Sequence, residues 1–168
     1  MAVEKRTGNA VKVDVAQFVV GRSPMQMMTM ALGSCLGIVL YDPSTGIGAL
    51  AHAMHPRRER VKNNANRAKF VDTVIPAMIE QMLQGGARRG RIVAKIFGGA
   101  RMFDAFKGCR GVLQIGDENI VAGREILAGL AIPVAAECVG GVSGRTITFD
   151  VSDGSVLVRY VNGVEETY

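Results

Sequence analysis

Two stretches of this chain carry a helical apolar period, and the apolar residues between and around them fall into short runs closed by glycine or proline. From Asn66 onward, Phe70, Val71, Val74, Ile75, Met78, Ile79, Met82 and Leu83 recur at three- and four-residue spacing, and Gly85-Gly86 stops the run. This is the longest predicted helix. Pro76 sits inside it and is expected to bend it, because proline removes a donor and crowds the preceding turn. A second helix is predicted to start near Asp117 or Asn119, to run through Ile120, Ile126, Leu127 and Leu130, and to end before Pro133.

The remaining apolar runs read as strands. Residues 11–20 alternate at Val11, Val13 and Val15 and are read as a first strand, followed by a loop around residues 21–24. Residues 37–41 lead into Asp42-Pro43-Ser44-Thr45-Gly46, a reversal signal, and 47–54 return as the hairpin partner. A two-residue period places Gly48, Leu50, His52 and Met54 on one face of that partner and Ile47, Ala49, Ala51 and Ala53 on the other. Strands are also predicted at 92–97, closed by Gly98-Gly99, and at 134–138. A hairpin at 145–151 and 156–161 would turn through Ser152-Asp153-Gly154-Ser155. Hairpins combined with two crossover helices indicate an α+β fold rather than a regular βαβ repeat.

A chain of 168 residues with 48% apolar and 21% charged residues suits one compact domain over 1–168. No apolar run approaches the roughly 20 residues of a membrane span, and the start lacks the apolar stretch of a signal peptide, so a cytoplasmic protein without membrane insertion is expected. Cys35, Cys109 and Cys138 form no CxxC pair, which suggests neither a disulfide framework nor a zinc site. The net charge of +5 is uneven: residues 57–69 hold Arg57, Arg58, Arg60, Lys62, Arg67 and Lys69 against Glu59 alone. Such a stretch can attract an acidic partner or simply form a solvated loop. Aromatic residues are only 5% and no nucleic-acid motif is present, so a nucleic-acid partner is ranked last.

The chemistry concentrates in Thr29-Met30-Ala31-Leu32-Gly33-Ser34-Cys35-Leu36-Gly37 and Ala51-His52-Ala53-Met54-His55-Pro56. Gly33 and Gly37 bracket Cys35, where missing side chains let a substrate approach the sulfur and leave backbone N–H groups free to face it. A free thiol is a weak nucleophile at neutral pH unless a base takes its proton. His52 lies on the hairpin that begins just after Cys35 and can fold back beside it, although spacing alone does not prove contact. A cysteine in such a run is, on residue type alone, more often a small buried apolar group.

The string over 29–56 resembles the signature of the CheD family, the chemoreceptor glutamine deamidases: T-x-x-x-G-S-C, a strand and turn, then G-A-x-A-H-x-M-x-P. The resemblance continues through Val71-Asp72, Ala94-Lys95-Ile96-Phe97-Gly98-Gly99-Ala100, Ile115-Gly116 with Asn119, and Gly140-Gly141 with Gly144-Arg145. It implies a three-layer α/β/β sandwich with mixed sheets and two main amphipathic helices. It further implies a nucleophile at Cys35, a general base at His52 and a third member at Thr29, whose hydroxyl would orient the imidazole. Two positions depart from the pattern: His55, a competing base that strand alternation puts on the face opposite His52, and Glu137-Cys138 ahead of Gly140-Gly141.

The activity implied is conversion of receptor glutamine side chains to glutamate through a cysteine thioester, with ammonia released and no cofactor or metal. The oxyanion would be held by N–H groups near Gly33 and Ser34. Expected partners are the cytoplasmic helices of methyl-accepting chemotaxis receptors and, as in some bacteria, the phosphatase CheC. Arg57, Arg58 and Arg60 are candidates for docking an acidic helical surface. Gly98-Gly99-Ala100 would line a docking surface or form a tight strand exit, and Asp117-Glu118-Asn119 reads as a helix cap. Two rivals use the same residues: a glutamyl methylesterase acting on the receptor, and a non-catalytic adaptor that regulates CheC while Cys35 is merely buried.

Overall fold

The computed structural model describes residues 10–102 and 115–168. Among these residues ten strands form two five-stranded sheets. In chain order they are β1 (Val11–Lys12), β2 (Gln17–Arg22), β3 (Gln26–Leu32), β4 (Leu36–Asp42), β5 (Ile47–Ala53), β6 (Val93–Gly98), β7 (Val134–Val139), β8 (Arg145–Asp150), β9 (Val156–Tyr160) and β10 (Glu165–Thr167). Helix α1 (Val71–Gln84) separates β5 from β6, and α2 (Ile115–Gly129) separates β6 from β7. One sheet has the order β1-β3-β8-β9-β10 and the other β2-β5-β4-β6-β7. Pairing is antiparallel except for β1 with β3 and β6 with β7. The result is the α+β class expected from the segment pattern, in the α/β/β layering that the family resemblance implied.

The layering follows from which faces are apolar. β4 and β5 are buried along their whole length, as strands are when both faces are covered. Leu36, Ile38, Leu40, Ala49, Ala51 and Ala53 face a core shared with Val74, Ile75, Met78 and Met82 of α1 and Leu127 of α2. Val39, Tyr41 and Leu50 face the opposite way, into a second core with Met27, Leu32, Ile147, Phe149, Val156 and Val158 of the other sheet. The predicted two-residue split of β5 therefore corresponds to two separate cores.

Four elements differ from expectation. The strand read over 11–20 is two strands in different sheets, because the chain turns at Ala16, whose φ is +59°. The run after residue 24 forms β3, which reads weakly because apolar Met28 and Met30 stand on its outer face. The long helix begins at Val71, after a 3-10 turn at Arg67–Lys69 capped by the Asn66 side chain, and it continues through Pro76. The second helix already includes Ile115, the first described residue of that segment, which places Asn119 inside it rather than at its cap.

The β4–β5 reversal is organised by Asp42, which is fully buried. Its carboxylate accepts from the Ser44 N–H and hydroxyl and, at 2.7 Å, from the Arg88 N–H. Burial pushes its pKa up, but these bonds outweigh it and hold the group at about 2. A carboxyl depressed in the folded state contributes stability above the unfolded pKa and loses it as pH falls through the folded one. Asp42→Asn should thus cost roughly 1–2 kcal/mol at pH 7 and almost nothing near pH 2, with most of the difference vanishing between these values. Urea unfolding of both proteins across that range measures it.

Candidate functional site

His52 lies on the face of β5 that looks toward the other sheet, and its side chain is fully buried. Thr29 enters the same space from β3 and is equally buried. Thr29 Oγ1 and His52 Nδ1 are 2.8 Å apart, a good hydrogen-bond distance between two sheets that share no ladder at this point. His52 Nε2 is buried and has no hydrogen-bond partner among the described residues. The backbone is pinned as well, since the His52 carbonyl accepts from the Ala16 N–H.

Thr29 points inward with Met27 by ordinary alternation, and a bulge just after it turns Leu32 inward as well. Thr29 pairs with Ile147 and Leu32 with Arg145, so Met30 and Ala31 stand against the single residue Thr146. In a regular strand, residues three apart lie on opposite faces. The extra residue brings Leu32 to the interior along with Thr29 while Met30 stays exposed. Ala31 takes the cost, with φ at +54°, a conformation that disfavours any side chain.

Cys35 sits just ahead of β4, half-buried at the margin of the inter-sheet core. Gly37, two residues on, pairs directly with His52, so Cys35 approaches β4 on the face His52 occupies. The loop is tied down through three successive carbonyls. Gly33 O accepts from the Ala100 N–H, Ser34 O from the Asn119 side-chain amide and Cys35 O from the Gly99 N–H, at 2.8–2.9 Å. Peptide units are planar and trans, so drawing these carbonyls toward β6 and α2 turns the N–H groups of Ser34 and Cys35 the other way.

The electrostatics describe a neutral pair. Burial pushes the Cys35 thiol above its ordinary 9.0, partly offset by its own backbone N–H bonding the sulfur. Burial likewise lowers His52 below 6.5, with distant Asp14 opposing the shift. At neutral pH the site therefore rests as thiol and imidazole rather than thiolate and imidazolium.

Residues 54–160 match the family described as CheD chemotactic sensory transduction. The chain is 45% identical over 151 residues to the probable chemoreceptor glutamine deamidase CheD of Moorella thermoacetica, covering 90% of each chain. It is 42% identical over 151 residues to the protein of the same name from Caldanaerobacter subterraneus, covering 90% of this chain and 93% of that one. With the one from Desulforamulus reducens the identity is 41% over 160 residues, covering 95% and 96%. The chain belongs to the CheD family. Among solved structures, a Bacillus licheniformis hypothetical protein YfiH aligns at 16% identity with a TM-score of 0.44, over 72% of this chain and 49% of that one.

The CheD family match begins two residues after His52 and so leaves out Thr29, Cys35 and His52; the geometry alone brings Thr29 and His52 together. Gly33 and Ser34 are half-buried beside Cys35. His55 lies beyond β5, with its ring tilted against Phe70 and its backbone bridged to the same residue. Arg57 and Arg60 are not free cations: they pair with Glu125 and Glu118 of α2 at 2.8 and 2.7 Å, while the Arg58 N–H bonds Asp72. Cys138 is buried against Tyr160 and Arg145, and Cys109 lies outside the described residues. Among the described residues, no three His, Cys, Asp or Glu side chains are grouped to hold a metal ion. No helix among them is long and apolar enough to cross a membrane.

Sequence reasoning missed the role of Gly98-Gly99-Ala100, where the Gly99 and Ala100 N–H groups anchor the cysteine loop. The signal available was paired glycine at a strand exit, which marks close backbone approach. Gly98 has φ of +93°, and a Cβ there would lie 2.4 Å from the Cys35 carbonyl oxygen. Gly98→Ala should therefore lower stability by about 2 kcal/mol or more, measured by urea unfolding, because strain and collision act together.

Proposed function

We propose that this CheD protein deamidates glutamine side chains of chemoreceptors, with Cys35 as nucleophile, His52 as base and Thr29 as the residue that orients the imidazole. The observation that carries this reading is the buried Thr29–His52 hydrogen bond, which leaves Nε2 as the free nitrogen on the face shared with Cys35. When His52 Nδ1–H donates to the threonine oxygen, Nε2 keeps its lone pair and serves as a base.

In the proposed reaction His52 Nε2 takes the Cys35 proton as the sulfur attacks the carboxamide carbon. The oxyanion is met by the N–H groups of Ser34 and Cys35, next to Gly33. The imidazolium then gives its proton to the departing nitrogen, and ammonia leaves a thioester on Cys35. Water attacks that thioester with His52 again as base, releasing glutamate and restoring the thiol. A threonine hydroxyl fits a pair that rests neutral, because it orients the ring without stabilising imidazolium as a carboxylate would.

The names of the relatives support chemoreceptors as substrates. Their cytoplasmic helices, and CheC in bacteria that have it, are the proposed partners. A groove of about 540 Å³ between the Arg58–Arg60 turn and α2 is lined by Arg57, Arg60, Glu118 and Glu125. An acidic helix docking there would have to displace Glu118 and Glu125 from their arginines. Charge-neutral replacements Glu118→Gln and Glu125→Gln should tighten receptor binding several-fold at low salt, and charge reversal at Arg57, Arg58 and Arg60 should weaken it. Unchanged binding across salt concentrations in both sets would remove this face from the docking surface.

Incubation with a receptor cytoplasmic fragment, read by ammonia release and peptide mass, tests the activity. A gain of about one mass unit at particular glutamines, absent with Cys35→Ala, is the expected result. Intact receptor binding without ammonia release would favour the adaptor. Thr29→Val should lower kcat by about 10- to 100-fold, less than His52→Gln. Because the folded His52 is depressed, activity should rise with pH through a limb below 6.5 and then level off. A limb at or above 6.5 would contradict a neutral resting pair.

A further inference from the structure

Asn119 is fully buried on α2, and its side-chain amide reaches two loops at once. Nδ2 donates to Ser34 O at 2.9 Å and to Met54 O at 3.1 Å. Both partners are carbonyls and can only accept, so the nitrogen must be the atom that faces them. Oδ1 is left buried without a hydrogen-bond partner among the described residues. A buried amide with one unsatisfied end is retained at a cost, which directs attention to what its other end holds.

One of the two carbonyls belongs to the peptide whose N–H is that of Cys35. The other follows β5 directly, two residues after His52. α2 reaches this position because Gly116, on the same helix face one turn earlier, lies so close to the strand exit that a Cβ would fall 2.7 Å from Gly99 O. Asn119 is thus a clamp between the segment carrying the nucleophile and the segment carrying the base.

We propose that Asn119 is a positioning residue of the deamidation reaction: anchored at Met54 O, it holds Ser34 O and so turns the Cys35 N–H toward the reacting carboxamide. This rests on the deamidase reading above. Losing the clamp lets the Ser34–Cys35 peptide rotate, so that a donor for the oxyanion is misdirected while the thiol remains in place.

Deamidation and alkylation separate these effects, since iodoacetamide reacts with the Cys35 sulfur by displacement at carbon and develops no oxyanion. Asn119→Ala removes the amide, and Asn119→Asp keeps its shape but offers the two carbonyls no N–H at neutral pH. In both, kcat for ammonia release from a receptor fragment should fall about 100-fold. KM and the rate of Cys35 alkylation should stay within about threefold of the unaltered protein. Thermal unfolding identifies any variant that is not folded, and the isosteric Asp variant serves if the Ala variant is lost. A kcat within threefold of the unaltered protein in a folded variant would overturn the inference alone, as would kcat and alkylation falling in step. Absence of ammonia release from the unaltered protein would instead overturn the deamidase reading, and the inference with it.

Discussion

The whole arrangement depends on β5 being buried on both faces. Its small outward residues, Ala49, Ala51 and Ala53, let the helices sit close on one side, while Leu50 and His52 face the second sheet on the other. A polar ring at such a position is costly unless its nitrogens are paired. Thr29 pairs one, and the other is buried without a hydrogen-bond partner among the described residues. The histidine is thus held by the same packing that forms the two cores, so its orientation is a property of the sandwich rather than of a mobile loop.

Much of this was legible in the sequence. The β4–β5 hairpin, both helices and the alternation along β5 follow from apolar period and turn residues, because local pattern and tertiary burial agree there. β3 was not legible, since Met28 and Met30 put apolar residues on an outer face where alternation predicts polar ones. The bulge was hidden for the same reason: only pairing with β8 reveals that one residue is extra. The basic stretch was legible as charge but not as structure, because Glu118 and Glu125 come from a helix far along the chain. Asn119 looked like a cap, as asparagine beside two acids before a helix often is. Its link to Ser34 and Met54 depends on where α2 lies against the sheet.

Burial has opposite effects on Cys35 and His52, raising the thiol and lowering the imidazole, and both shifts disfavour the charged form. A resting ion pair would be more reactive toward any electrophile. In the proposed reaction, a neutral pair gains its nucleophile only when a substrate carbonyl is positioned and the proton can move to His52. On that reading, selectivity in such a site comes from docking geometry.

The bulge in β3 works as a phase shift of half a strand period between Thr29 and the loop that carries Cys35. Substitution at Met30 is structurally cheap because the side chain faces solvent. Removing either bulged residue is another matter: the strand would regain a regular ladder, and either Thr29 or Leu32 would rotate out of the interior. The length of this segment is therefore more constrained than its composition, the reverse of an ordinary surface loop. Evolution along this stretch can exchange residues freely at its outer face but cannot change the count.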